Sequence, residues 1–229
     1  MRYFRRKVNR HTTDNKGMTL VEMIVSFMLL SIFVVMSTII ISNIVALHYR
    51  VRGESYARQV GDIVMKKITS EISGAEYFGD ASLDPVIYRR SIDGSSDKAY
   101  DFALVDSTDT HVKIYAKDGI LRIYYYPIDD DNLPSNSRSA VEWTFDEKMY
   151  NGYELVSLDF AQANSSINES LAEKYDIGDV NKDDYPSNVI AVYMKLKSGK
   201  YGTFNICRYV KMYNAPETEY NVEVEDVSE

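Results

Sequence analysis

Residues 23–47 read MIVSFMLLSIFVVMSTIIISNIVAL, and only Ser26, Ser31, Ser37, Thr38, Ser42 and Asn43 in them are polar. No formal charge falls between Glu22 and Arg50. At 1.5 Å per residue such a helix reaches about 37 Å, enough to cross a hydrocarbon core of about 30 Å with some tilt. Core helices of soluble proteins are rarely this long and apolar on every side. A cleaved secretory signal has an apolar core of about 7–15 residues followed by small residues at the cut, and no such pattern follows here. The pattern predicts a membrane-spanning helix.

The period then changes without a break. Tyr56, Val60, Ile63, Val64, Ile68, Ile72 and Ala75 recur at spacings of three or four, while Arg58, Asp62, Lys66, Lys67 and Glu71 take the other face. One helix is predicted from about residue 18 to residue 77, apolar all round and then amphipathic. Gly53 and Gly61 are points where it could bend or melt. The first proline is Pro85. Beyond it the chain reads as short β-rich runs at 101–105, 112–116, 120–126, 141–145, 155–160, 189–196 and 201–211. Lys117-Asp118-Gly119 signals a hairpin, and Ser198-Gly199 joins the last pair. Leu155, Ser157 and Asp159 alternate with Val156, Leu158 and Phe160, as in a half-buried strand. The expectation is an α+β fold, one long N-terminal helix packed on an antiparallel sheet. Residues 51–215 suit a single exported domain. Residues 216–229 carry acids and no Lys or Arg, which predicts a disordered tail.

Charge sharpens this division. The chain of 229 residues has a net charge of −8, but Arg2, Arg5, Arg6, Lys7, Arg10 and Lys16 crowd residues 1–17 against Asp14 alone. A basic flank before a span keeps the N-terminus in the cytoplasm. Arg50 and Arg52 oppose that orientation but are outnumbered. The acidic remainder is then exported, and its charge argues against general nucleic-acid binding. One Cys excludes an intrachain disulfide, and three scattered His give no His-rich metal site.

Glu22 sits at the mouth of the apolar run. An unpaired carboxylate costs about 2.5–3.5 kcal/mol at a membrane centre and less near its edge, so the position invites a partner. The string Lys16-Gly17-Met18-Thr19-Leu20-Val21-Glu22, followed by the apolar helix, resembles the class III signal of type IV pilins and pseudopilins. The resemblance covers residues 10–50, and the rest only by architecture. It implies that the basic leader, residues 1–17, is removed by a membrane-embedded prepilin peptidase that cuts after Gly17 and N-methylates Met18. Residues 18–50 then form the transmembrane and assembly helix, with Glu22 as the family glutamate. The new Met18 amine and the Glu22 carboxylate of a staggered neighbour would neutralise each other in a low-dielectric bundle and set the register. Implied partners are the peptidase, other pilin or pseudopilin subunits and the membrane. Met in place of the usual Phe after the cut, a long leader, a large exported domain and the stretch 68–75 all lean towards a minor subunit. Secretion, DNA uptake and motility all use such subunits, and the sequence does not separate them. The competing reading is a single-pass anchored adhesion or binding protein that never polymerises; it leaves the Gly17–Glu22 string unexplained.

Asp179-Val180-Asn181-Lys182-Asp183 matches the D-x-[DN]-x-[DN] start of a calcium loop, with Asp179, Asn181 and Asp183 as the oxygen donors. Asp184 stands where the loop's glycine belongs and Ile190 where its bidentate glutamate belongs, so it is not a full EF-hand loop. The alternative is a solvated acidic loop before a strand. Asp129-Asp130-Asp131-Asn132 reads as a surface turn, Cys207 as a buried inert thiol, and the nineteen tyrosines as sheet packing rather than an adhesive surface. No Ser/His/Asp ordering, P-loop or GxGxxG is present, and no enzymatic role is expected.

Overall fold

The computed structural model describes residues 19–79, 84–91, 98–108, 110–127, 140–218 and 220–227. The chain divides into two compact units, 1–48 and 49–229. One helix, α1 (Leu20–Ser73), runs through the boundary.

In the first unit every described residue is exposed except Ser37, and the exposed surface is almost wholly Leu, Ile, Val, Met and Phe. Such a surface is stable only in lipid or against other apolar helices. Four of the six polar side chains of residues 23–47 bond to the helix itself. Ser26 Oγ donates to Glu22 O at 2.7 Å, Ser31 Oγ to Met28 O at 2.8 Å, Thr38 Oγ1 to Val34 O at 2.9 Å and Ser42 Oγ to Thr38 O at 2.9 Å. These four hydroxyl protons are thus satisfied without water, as a helix inside hydrocarbon requires. The expected apolar helix long enough to cross a membrane is present.

In the second unit Val60, Val64, Ile68 and Ile72 of the predicted stripe are buried, joined by Gly53, Ala57, Gly61 and Met65, whereas Ile63, expected on the inner face, is exposed and Tyr56 is only partly buried. The buried residues pack into one core with two sheets. The larger sheet has β1 (Val86–Ser91), β2 (Lys98–Val105), β3 (Thr110–Lys117), β4 (Ile120–Pro127), β5 (Val141–Thr144) and β9 (Glu223–Val227), in the order β5-β4-β3-β2-β1-β9. The smaller one has β6 (Glu154–Gln162), β7 (Val189–Ser198) and β8 (Gly202–Lys211), in the order β6-β7-β8. Phe102 of the large sheet stacks on Phe160 of the small one, with ring centroids 5.5 Å apart, and ties the two through the core. Each fully buried Ile, Val or Phe contributes about 1.5–3 kcal/mol. A short helix, α2 (Ser166–Lys174), covers the other face of the small sheet with Leu171 and Ala172 against Ala161, Ala191 and Tyr193.

The α+β class and the leading helix are as expected. Four features are corrections. The strands form two sheets rather than one, and β1 and β9 pair in parallel, so the large sheet is mixed. The tail expected to be disordered contains β9, and before it Tyr220 and Val222 are buried in the core. Gln162 holds this segment, donating to Tyr220 O at 2.7 Å and accepting from Val222 N at 3.2 Å. The alternation along 155–160 is broken by a bulge between Leu155 and Ser157, which puts Val156 in solvent and Leu155, Leu158 and Phe160 together in the core. Gly53 and Gly61 are not bends: α1 is continuous through both, Gly53 letting Tyr201 of the β7–β8 turn and Gly61 letting Ile206 of β8 lie against the helix. The β3–β4 hairpin turns at Asp118 and Gly119 as predicted, with φ of 55° and 78°.

Candidate functional site

The start of α1 is where the sequence and the structure converge. Thr19 O accepts from Met23 N at 3.1 Å, which makes Thr19 the first turn's cap. Glu22 Oε2 accepts from Thr19 N at 2.8 Å and from Thr19 Oγ1 at 3.0 Å. Glu22 N in turn approaches Thr19 Oγ1 at 3.3 Å. This reciprocal arrangement is a capping box, in which a Ser or Thr and the Glu three residues on satisfy amides that the helix itself leaves unpaired. The carboxylate also sits at the positive end of the helix dipole. Both residues are exposed.

The box has two chemical consequences. It turns the Glu22 carboxylate back towards the N-terminal end of its own helix. It also places both bonds on Oε2, so that Oε1 takes none among the described residues. Glu22 can therefore hold its own helix start and still offer an oxygen to a cation. Sequence reasoning weighed Glu22 and missed Thr19, although the Thr-x-x-Glu spacing that signals the box is plain in residues 19–22. Gly17 and Met18, the expected cut site, lie outside the described residues.

Asp179, Asn181 and Asp183 lie on and before a 3₁₀ turn, Lys182–Asp184. Asn181 caps that turn, its side-chain oxygen accepting from Asp183 N at 3.2 Å. Among the described residues no group of three or more His, Cys, Asp or Glu is placed to hold a metal ion. Asp179 instead lines an acidic surface depression with Glu169, Glu173 and Asp176. The Asp129–Asn132 cluster lies outside the described residues. Cys207 is half-buried on β8, and burial pushes its thiol up to about 11, so it stays protonated at neutral pH. Tyr150, Tyr153, Tyr175, Tyr193 and Tyr220 are in the core, which accounts for part of the tyrosine content as packing.

Residues 12–38 match the family model described as the prokaryotic N-terminal methylation motif. The chain thus carries a prepilin-type N-terminal methylation motif, and with its long apolar N-terminal helix it fits the type IV pilin family. The matched stretch contains Gly17, Met18 and the whole capping box. No curated protein and no solved structure matches the chain.

Proposed function

We propose that the chain is the precursor of a minor pilin or pseudopilin, a structural subunit rather than an enzyme. Prepilin peptidase removes residues 1–17 by cutting after Gly17 and methylates the Met18 amine. The mature subunit waits in the cytoplasmic membrane with the start of α1 towards the cytoplasm and residues 51–229 exported. It then enters a filament through α1, beside other pilin or pseudopilin subunits.

The observation that carries this reading is the capped Glu22 at the mouth of an apolar, almost wholly exposed helix, inside the matched motif. A carboxylate with one oxygen committed to Thr19 suits a pair with the Met18 amine of a neighbouring subunit. In a low-dielectric bundle such a pair is costly to break, which makes it a device for register. The reading predicts that Gly17→Ala impairs cutting, whereas Glu22→Ala leaves cutting largely intact and lowers incorporation. Normal filament levels in Glu22→Ala would remove the register role.

Calcium at Asp179, Asn181 and Asp183 is a separate proposal, resting on the alternation of oxygen donors. It requires that millimolar Ca²⁺ raise the melting temperature of the exported unit; an unchanged temperature ends it.

A further inference from the structure

The outer face of the large sheet carries a cluster that the assembly role does not use. Phe102, Val112, Ile114, Leu121 and Ile123 point into the core, so the residues that alternate with them point away from it. There Arg90, Asp101, Lys113, Tyr115, Lys117 and Tyr124 line a depression of about 490 Å³, within the usual range for small-ligand sites. Three cations thus converge in an otherwise acidic chain.

Their state of pairing sets them apart. Arg122, beside them, is paired through its terminal nitrogens, with Asp118 at 2.8 Å and Glu142 at 2.7 Å, although its Nε has no partner among the described residues. Arg90 Nε and Lys113 Nζ stand 3.5 Å and 3.9 Å from Asp101 Oδ2, longer than an ordinary N–H···O bond. Lys117 makes no ion pair within 4.0 Å among the described residues. Asp101 is the counterpart: its side chain is 5% exposed, and Oδ1 is buried with no hydrogen-bond partner among the described residues. A buried acceptor without a donor is unusual and expensive. The cluster therefore holds cations with only long ion pairs, Lys113 lying also 5.1 Å from the Tyr88 ring centroid, beside an acceptor oxygen without a partner and two tyrosine rings.

We propose that this depression binds an acidic saccharide. The sugar carboxylate meets Arg90, Lys113 and Lys117, an apolar ring face lies against Tyr115 or Tyr124, and a hydroxyl donates to Asp101 Oδ1. Oδ1 is buried, so a ligand reaches it only when a neighbouring side chain moves. Arg90 and Lys113 beside it are about one-third exposed with only long ion pairs to Oδ2, so such a movement is open to them. A sugar acid brings an anion and hydroxyl donors on one rigid ring and answers both halves of the cluster. A plain polyanion would set its charge against Asp101 and leave Oδ1 unsatisfied.

The test is titration of the full chain, in non-ionic detergent, with trigalacturonate at about 0.15 M salt, where exposed charges are screened beyond about 8 Å. Saturable binding is expected, with none to a neutral galactose trimer. Asp101→Ala removes the Oδ1 acceptor and should weaken it at least about tenfold, the scale of a lost hydrogen bond to a charged group. Tyr124→Ala and Lys117→Gln, at exposed positions that do not threaten the fold, should weaken it as well. Absence of saturable binding overturns the proposal. So does equal binding by Tyr124→Ala and Lys117→Gln, which would mean adsorption elsewhere. Displacement of trigalacturonate by inorganic phosphate or by oligothymidylate at equal concentration also overturns it, in favour of a general anion or single-strand nucleic-acid surface.

Discussion

The Glu22 carboxylate is bonded to Thr19, its Oε2 accepting from the Thr19 amide at 2.8 Å and hydroxyl at 3.0 Å. The glutamate at the mouth of the apolar run is therefore held by its own helix. Thr19→Val keeps the shape and removes the hydroxyl. Loss of a cap of this kind costs about 1 kcal/mol, so amide exchange of residues 20–23 in micelles should speed up about fivefold. Exchange unchanged from the wild type would show that the box does not hold the helix start.

Gly53 and Gly61 should differ when replaced by alanine. A Cβ at Gly53 would lie 2.6 Å from Tyr201 Cβ and 2.8 Å from Cγ, the root of a ring that also packs near Tyr56 and Tyr153. A Cβ at Gly61 would meet the tip of one side chain, Ile206 Cδ1 at 2.2 Å, which can rotate away. Alanine also gains about 0.8–1 kcal/mol of helix propensity. Thermal unfolding should show Gly61→Ala within about 1 kcal/mol of the wild type, and Gly53→Ala destabilised by about 1–3 kcal/mol, the range for overpacking. The reverse order would contradict the contacts described.

Burial raises the pKa of Asp101 above the usual carboxylate value, against the pull of Arg90 and Lys113. The folded state therefore favours the protonated form. The group's contribution to stability is fully present below the unfolded pKa of about 3.9 and is lost as pH rises through the folded value. At neutral pH the ionised side chain is a net cost. Asp101→Asn should gain stability relative to the wild type as pH rises from about 3.5 to about 6. A gap that is constant over this range, or that moves the other way, would contradict the assignment.

The C-terminal segment should lose importance abruptly at Val222. Arg89 pairs with Asp226 across β1 and β9, but both side chains are partly or largely exposed. Asp226→Ala should change stability by less than about 1 kcal/mol. Truncation after Val222 should be mild for the same reason. Truncation after Glu217 removes buried Tyr220 and Val222 and takes from Gln162 the partner of its Oε1, and it should cost several kcal/mol. Denaturation curves of the two truncations separate these cases.

Local signals made much of this molecule legible. The span follows from an uninterrupted apolar run, Val60, Val64, Ile68 and Ile72 of the inner face of α1 from spacings of three and four, and the β3–β4 hairpin from Asp118-Gly119. All three depend on neighbours within a few residues. The tail shows the limit. Its composition reads as disorder because the acids outnumber everything else, but Tyr220 and Val222 are held by Gln162, nearly sixty residues away in sequence. Division into two sheets failed for a related reason: Phe102 and Phe160 are both ordinary strand residues, and only their stacking shows that they lie on different sheets. At the site, Glu22 announced itself as a carboxylate beside an apolar run. Asp101 did not, because one acid among 34 carries no mark of burial in the sequence.

The account stands most directly on the mature N-terminus. Intact-mass and N-terminal mass spectrometry of the protein from cells with and without prepilin peptidase measures it. The account predicts N-methyl-Met18 where the peptidase is present and the full precursor from Met1 where it is absent. Unprocessed Met1 in peptidase-containing cells would contradict it.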